Sequence, residues 1–232
     1  METNALVTVG MIFYNDGPKM LSEAIQACHN SGLRVIAVDG AFQEFMKVAG
    51  TDTPYSTDGC IDVAKAEADL YIPCPEHGWP DQAQKRNEYV KPIENGKYFL
   101  VLDADEFLRE HTLRTDYDAD WYVLNEKRVR RHGLIRDLHF IRMHKKYDDL
   151  RYLYVHYRLY RTDTHNPNDI MSGLSHFEHA PRGIVYPFLY DVNGKIVTFI
   201  HDTTLRSEER RRQKESYYFT RGEKALAFRY RG

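Results

Sequence analysis

The sequence predicts an α/β protein: a mostly parallel central sheet formed by the first half of the chain, joined to a smaller antiparallel portion in the second. Three observations predict it. Over roughly the first hundred residues, short apolar strand patterns alternate with helical ones, and such alternation builds a parallel sheet covered on both faces. Beyond Asp103 the texture changes to aromatic, β-branched and positively charged stretches with little helical period, which read as antiparallel strands. A chain of 232 residues with 42% apolar and 13% aromatic residues can also bury a substantial core, here expected to be one domain over 1–232.

The elements follow in order. Ala5 to Tyr14 is a buried-strand pattern, closed by the turn and helix-start residues Asn15, Asp16, Gly17 and Pro18. Met20, Leu21, Ala24 and Cys28 then recur at helical spacing, with Gly32 as a C-terminal stop. Arg34 to Val38 is a second strand, closed by Asp39 and Gly40. Ser56, Thr57 and Asp58 offer caps for a helix through Ala68, and Asp69 to Pro73 reads as a third strand. Pro80 and Asp81 start a helix running to about Lys91, and Gly96 precedes the apolar strand Tyr98 to Leu102. Ligands of parallel sheets bind at the carboxyl ends of the strands, so Asn15, Asp39 and Asp103 should share one edge. Further strands are expected over Trp121 to Arg131, Leu138 to Lys146, Tyr152 to Arg161, Gly183 to Leu189 and Lys195 to His201. A charged helix from Arg206 to about Phe219, with Ser207 as a possible cap, follows them.

The net charge of -2 hides an asymmetry. Residues 1–125 carry 10 basic and 21 acidic groups, whereas 126–161 carry 11 Lys or Arg against 4 Asp or Glu, with four histidines besides. The second stretch is either a seat for an anionic ligand or a solvated rim. No apolar run approaches the length of a membrane span, no signal peptide is visible at Met1, and the three cysteines lie far apart. The expectation is a cytoplasmic protein without a transmembrane segment.

The most informative stretch is the strand Tyr98–Leu102 followed by Asp103-Ala104-Asp105-Glu106. A buried strand here delivers three carboxylates to one loop, where they repel each other. A divalent cation among them relieves the repulsion, and hard oxygen donors suit Mg²⁺ or Mn²⁺. In an extended loop Asp103 and Asp105 would share a side and face the metal together. The plainer reading is a solvated acidic turn. On the metal reading, Asp105→Ala should leave the fold intact.

Upstream of that strand, Lys85-Arg86-Asn87-Glu88 lies on the preceding helix, and the run from Gln82 to Leu108 resembles the family 2 glycosyltransferases. In that family a helix carrying Arg-Asn precedes an apolar strand ending in Asp-x-Asp. Tyr14-Asn15-Asp16 and Asp39-Gly40 look like the family's nucleotide-binding edge, so the resemblance covers residues 5–108. It implies a GT-A fold, Rossmann-like in its nucleotide-binding half. It also implies a nucleotide-diphosphate-sugar donor, UDP- or GDP-linked, and transfer with inversion to a sugar, glycan, lipid or protein hydroxyl. Residues 1–108 would be the donor half, and 109–232 the acceptor half with its C-terminal helix. By position Asn15 belongs to the nucleotide edge, Asp39 would bind base or ribose, and Arg86 phosphate or sugar. Asp103 would meet the ribose, the donor sugar or the metal, and Asp105 the metal bridging the diphosphate. For Arg86 an ion pair with Glu88 or Glu94 is the structural alternative.

An inverting transfer needs a carboxylate to take the acceptor's proton. Ser172 to His179 is similar to the acceptor side of some family members, making Glu178 the first candidate base and Asp191 the second; an ion pair of Glu178 with His176, His179 or Arg182 competes with that role. His201, at a strand end, resembles a histidine that completes the metal site in several GT-A enzymes. The following Arg206, Arg210, Arg211, Arg212 and Lys214 could close over a diphosphate.

Two rival classes share features with this chain. An Mg²⁺-dependent nucleotidyltransferase should show a Gly-rich phosphate loop near the N-terminus, and Asn15 to Lys19 has a single glycine. A nucleic-acid-binding module would use the basic, aromatic stretch 127–161, yet the first half is acidic and no nucleic-acid partner is expected. Oligomeric state is not legible in the sequence.

Overall fold

The computed structural model describes residues 7–94, 97–109, 121–129, 136–145, 158–159, 198–202 and 206–220. Side chains within 109–205 and that of Ala83 are outside this description. The chain opens with β1 (Val7–Ile12), α1 (Pro18–His29), β2 (Arg34–Val38), α2 (Gln43–Ala49), α3 (Cys60–Glu67), β3 (Leu70–Ile72), α4 (Gln82–Val90) and β4 (Tyr98–Asp103). It continues with β5 (Glu106–Arg109), β6 (Trp121–Val129), β7 (Arg136–Lys145), β8 (Arg158–Leu159), β9 (Thr198–Asp202) and a basic helix, α5 (Glu208–Thr220).

These strands form one nine-stranded sheet in the order β3-β2-β1-β4-β7-β6-β9-β5, with β8 beside β7. The first four are parallel, β1 lying between β2 and β4 with Ile12 level with both Val38 and Asp103. The fold is α/β with a parallel central sheet of Rossmann-like order. The second half pairs β7 antiparallel to β4, β6 and β8, as the change of texture predicts. β9 runs parallel to β6 and antiparallel to β5, a mixed edge that periodicity cannot foresee. The predicted strand over Gly183 to Leu189 lies outside the described residues.

The period-two pleat sends alternate residues of each central strand to opposite faces, and both are covered. Val9, Met11, Val35, Ala37, Leu100 and Leu102 pack with Leu21, Ala24, Ile25 and Cys28 of α1 and with Ala64 of α3. Ile36, Val38, Phe99 and Val101 meet Tyr89 and Val90 of α4, together with Trp79. Gly10 is what lets α4 lie so close: a Cβ there would stand 2.2 Å from Cδ2 of the buried Tyr89 ring. Gly10→Ala is therefore expected to lower stability by about 1–3 kcal/mol, read as a fall in thermal midpoint, because neither ring nor strand has room to yield.

Two local expectations change. Helix α2 has no sequence signal, being seven residues long without a side-chain cap. It forms because Phe45 is buried in an aromatic cluster with Tyr14 and Tyr217. Ser56, read as a possible cap for α3, serves elsewhere: α3 starts after Gly59 without a side-chain cap, and the Ser56 hydroxyl donates to Asp39 Oδ1 at 2.6 Å. At α4 the prediction holds, the Asp81 carboxylate accepting from the Gln84 amide at 2.8 Å.

Candidate functional site

The strand order reverses at β1: β2 and β3 extend the sheet to one side and β4 to the other. Such a switch point opens a crevice at the carboxyl ends of the two central strands, where open α/β sheets seat ligands. The residues delivered there are Tyr14, Asn15 and Asp16 after β1, Asp39 and Gly40 after β2, and Asp103 to Glu106 after β4.

The edge after β1 is held by the segment before α3. Asn15 adopts a left-handed conformation (φ 47°), its amide donates to Ser56 Oγ at 3.0 Å, and its side-chain carbonyl accepts from the Thr57 amide at 2.7 Å. Asp39 is fully buried, and both carboxylate oxygens accept from the Ser56 amide at 3.2 Å. Burial raises the Asp39 pKa, against the lowering effects of the Ser56 hydrogen bonds and the Lys85 charge. Asp39, which the resemblance places against a base or ribose, here meets Ser56. Its carboxylate is turned inward onto Ser56, so it shapes the loop that carries Asn15 and Thr57. The main-chain oxygen of Asp39 accepts from Trp79 Nε1 at 2.6 Å.

Helix α4 supplies two cations to the same edge. Lys85, fully buried, donates to the carbonyls of Phe13 and Gly40, tying the ends of β1 and β2 together. Its pKa falls to about 7 because burial disfavours the ammonium more than the Asp39 and Asp16 charges favour it. Arg86, also fully buried, reaches Asp103 Oδ1 through Nη2 at 2.8 Å. Arg86 thus meets the carboxylate of the acidic turn.

The acidic turn is tighter than an extended loop. Ala104 and Asp105 form the turn between β4 and β5, and Glu106 Oε2 accepts from the Asp103 amide at 2.8 Å. Asp103 and Asp105 consequently meet different cations, for Asp105 Oδ2 lies 2.7 Å from Arg206 Nη2. Asp105 and Glu106 are both fully buried, while the Asp103 side chain keeps 26% exposure.

Helix α5 lies over this edge. Tyr217 packs against Phe42 and Phe45 of the α2 segment and donates to Glu44 Oε2 at 3.1 Å. Docked in this way, the helix turns Arg210 and Lys214 onto the buried Asp16, with Arg206 just ahead of the helix joining them. Burial by itself would raise the Asp16 pKa. The charges of Lys214, Arg210 and Arg206, with the Tyr14 amide, outweigh it and hold the carboxyl well below the ordinary carboxylate range.

Asn15, Asp39, Arg86, Asp103 and Asp105 are thus brought to one edge, as the sequence predicts. His201 is placed by its backbone, opposite Glu106 in the antiparallel β5–β9 register. Glu178 and Asp191 lie outside the described residues. Ser56 and Trp79 join the edge without a signal in the sequence, and Asp16 and Lys85, placed in its motifs by sequence, take roles there that the sequence does not assign. The four-residue spacing of Arg206, Arg210 and Lys214 was the available signal for a shared cationic stripe.

The described residues do not fit a divalent cation at Asp105 as arranged. Its carboxylate is buried against Arg206, the Glu106 carboxylate holds a main-chain amide of its own turn, and Asp103 holds Arg86. Among the described residues no three His, Cys, Asp or Glu side chains converge into a cation site. In this arrangement a guanidinium group lies against each of the Asp103 and Asp105 carboxylates.

No protein-family model matches the chain, and no curated protein matches it. Among solved structures it is similar to the crystal structure of S. aureus TarS 1-349, with a TM-score of 0.41 and 18% identity. The match covers 55% of this chain and 37% of that one, so it spans little more than a third of TarS 1-349. Among the described residues no helix is long and apolar enough to cross a membrane.

Proposed function

We propose that this chain is a glycosyltransferase of the GT-A type, binding a UDP- or GDP-linked sugar at the β1/β4 switch point and transferring the sugar to a hydroxyl acceptor with inversion. The observation that supports this reading is the convergence of Asn15, Asp103, Arg86 and the α5 cations at the crevice of the strand-order switch point, where open α/β sheets seat ligands. Asp103, partly exposed and oriented by the buried Arg86, is suited to accept hydrogen bonds from ribose or sugar hydroxyls. In the reaction the acceptor oxygen bonds to the anomeric carbon as the bond from that carbon to the diphosphate oxygen breaks. The electron pair leaves on the diphosphate, and the acceptor's proton goes to a carboxylate, for which Glu178 is proposed first and Asp191 second. Cations fixed beside the leaving group stabilise the charge that builds there.

The test is turnover: UDP- and GDP-linked sugars are incubated with a mixture of glycan, lipid and peptide acceptors, and free UDP or GDP is measured. Release from one nucleotide class, reduced at least about tenfold in Asp103→Asn, is the expected result, a lost hydrogen bond to a charged group being worth that much. Equal release by wild type and variant would remove Asp103 from the site, and no release from any donor would contradict the reading.

A further inference from the structure

We infer that the ring of Tyr55 is the platform on which the base of the nucleotide stacks. The inference rests on the nucleotide-sugar reading above and adds to it a residue outside both the acidic turn and the cationic helix. Tyr55 stands at the foot of the excursion that leaves the sheet after β2, forms α2 and returns to the same edge at Ser56.

The main chain on both sides of Tyr55 is fixed. Before it, the Thr53 carbonyl accepts from the Tyr14 hydroxyl at 2.8 Å and the Pro54 carbonyl from the Ala41 amide at 2.7 Å. After it, the Ser56 amide and hydroxyl hold Asp39, and the Thr57 amide donates to the Asn15 side chain at 2.7 Å. These partners all follow the ends of β1 and β2, so Tyr55 is carried at the rim of the switch-point crevice.

Its side chain does not share in this anchoring. Pro54 and Ser56 are buried, whereas Tyr55 is 51% exposed and Thr57 is exposed too, so the segment alternates between an inward and an outward side. An exposed ring on a fixed main chain offers a π-face with only two side-chain torsions left to order on binding. The neighbouring rings are engaged elsewhere. Tyr14 and Phe45 lie against the Arg210 guanidinium carbon, at 5.0 and 4.7 Å from their centroids, and buried Trp79 donates to the Asp39 carbonyl. Position selects the base rather than the sugar as the stacking partner. In the order β3-β2-β1-β4, Tyr55 is tied to the ends of β1 and β2, whereas Asp103 follows β4 on the other side. The base then lies toward β2, and the rest of the donor toward β4.

The test is calorimetric titration of the whole chain, and of its Tyr55→Ala and Tyr55→Phe variants, with UDP and GDP, with thermal midpoints read alongside. Neither ligand carries a transferred sugar, so a loss of affinity is not a lost sugar contact. Wild type is expected to bind one of the two nucleotides. Tyr55→Ala should weaken that nucleotide at least about fivefold, the stacking of a base on an aromatic ring being worth that much. The thermal midpoint should not change, because the ring is half exposed. Tyr55→Phe, which keeps the ring, should stay within about twofold of wild type. If Tyr55→Ala lowers the midpoint, Tyr55→Leu carries the same expectation, being apolar and bulky but without a π-face. Affinity unchanged in the variants without a ring, as when the ring serves an acceptor or transferred sugar, overturns the inference and leaves the nucleotide-sugar reading standing. Equal weakening in Tyr55→Phe and Tyr55→Ala does the same, since it assigns the effect to the hydroxyl. Absence of binding of either nucleotide to wild type overturns both.

Discussion

Replacing Arg206 by alanine is expected to destabilise the fold by about 3–5 kcal/mol, because it strips the counter-charge from a carboxylate that water cannot reach. Asp105 is fully buried and its Oδ2 lies 2.7 Å from Arg206 Nη2; the arginine side chain is itself 2% exposed and also meets Asp16. Urea denaturation at neutral pH reads the loss as a lower midpoint with an unchanged slope. Asp105→Ala should also destabilise the fold, by removing one of the two carboxylates the buried guanidinium meets, which reverses the sequence expectation that this variant leaves the fold intact. The pair Asp105→Leu with Arg206→Met should recover most of the loss, since replacing both buried ions with apolar groups removes the desolvation cost along with the attraction. A change under about 1 kcal/mol in either single variant would contradict the buried pairing.

Asp16→Ala is expected to have a similar effect by a different route, about 3–5 kcal/mol, because Arg206, Arg210 and Lys214 would then crowd together without their shared anion. The relief available to the molecule is release of α5. That helix and the residue preceding its cap carry Arg206, Arg210, Arg211, Arg212 and Lys214, all tryptic sites. Limited trypsin digestion should cut there at least about tenfold faster in the variant, local opening being governed by the stability of the opened segment. The same carboxylate predicts acid sensitivity. Its folded pKa is depressed, so its stabilisation is present above the unfolded carboxylate's ordinary value of about 3.9 and is lost as pH falls from there toward the folded value. Wild type should therefore lose stability below about pH 4 more steeply than Asp16→Ala, and identical acid profiles would contradict the assignment.

Much of the parallel half is legible in the sequence because its elements are strongly patterned. Arg34–Val38 is predicted to the residue, α1 buries all four residues chosen at helical spacing, and Asp81 caps α4 as its position suggests. Helix α2 is not legible, since its stability comes from Tyr14 and Tyr217, the second of them far away in sequence. The same cause separates the predicted site from the observed one. That Asp39, Asp103 and Asp105 gather at one edge follows from strand ends. That Ser56 occupies Asp39, Arg86 occupies Asp103 and Arg206 occupies Asp105 depends on long-range packing, for which local pattern carries no signal. An acidic triplet after a strand calls for positive charge; whether a metal or an arginine supplies it is decided by the docking of a helix about a hundred residues later.

The central claim, a nucleoside diphosphate seated at the β1/β4 switch point, is tested most directly by calorimetric titration with UDP and GDP of wild type and Asp103→Asn, with thermal midpoints checked alongside. The account predicts one-to-one binding of one of the two nucleotides, weakened at least about tenfold in the variant although its fold is kept. Binding equal in both proteins, or no binding of either nucleotide to wild type, would contradict it.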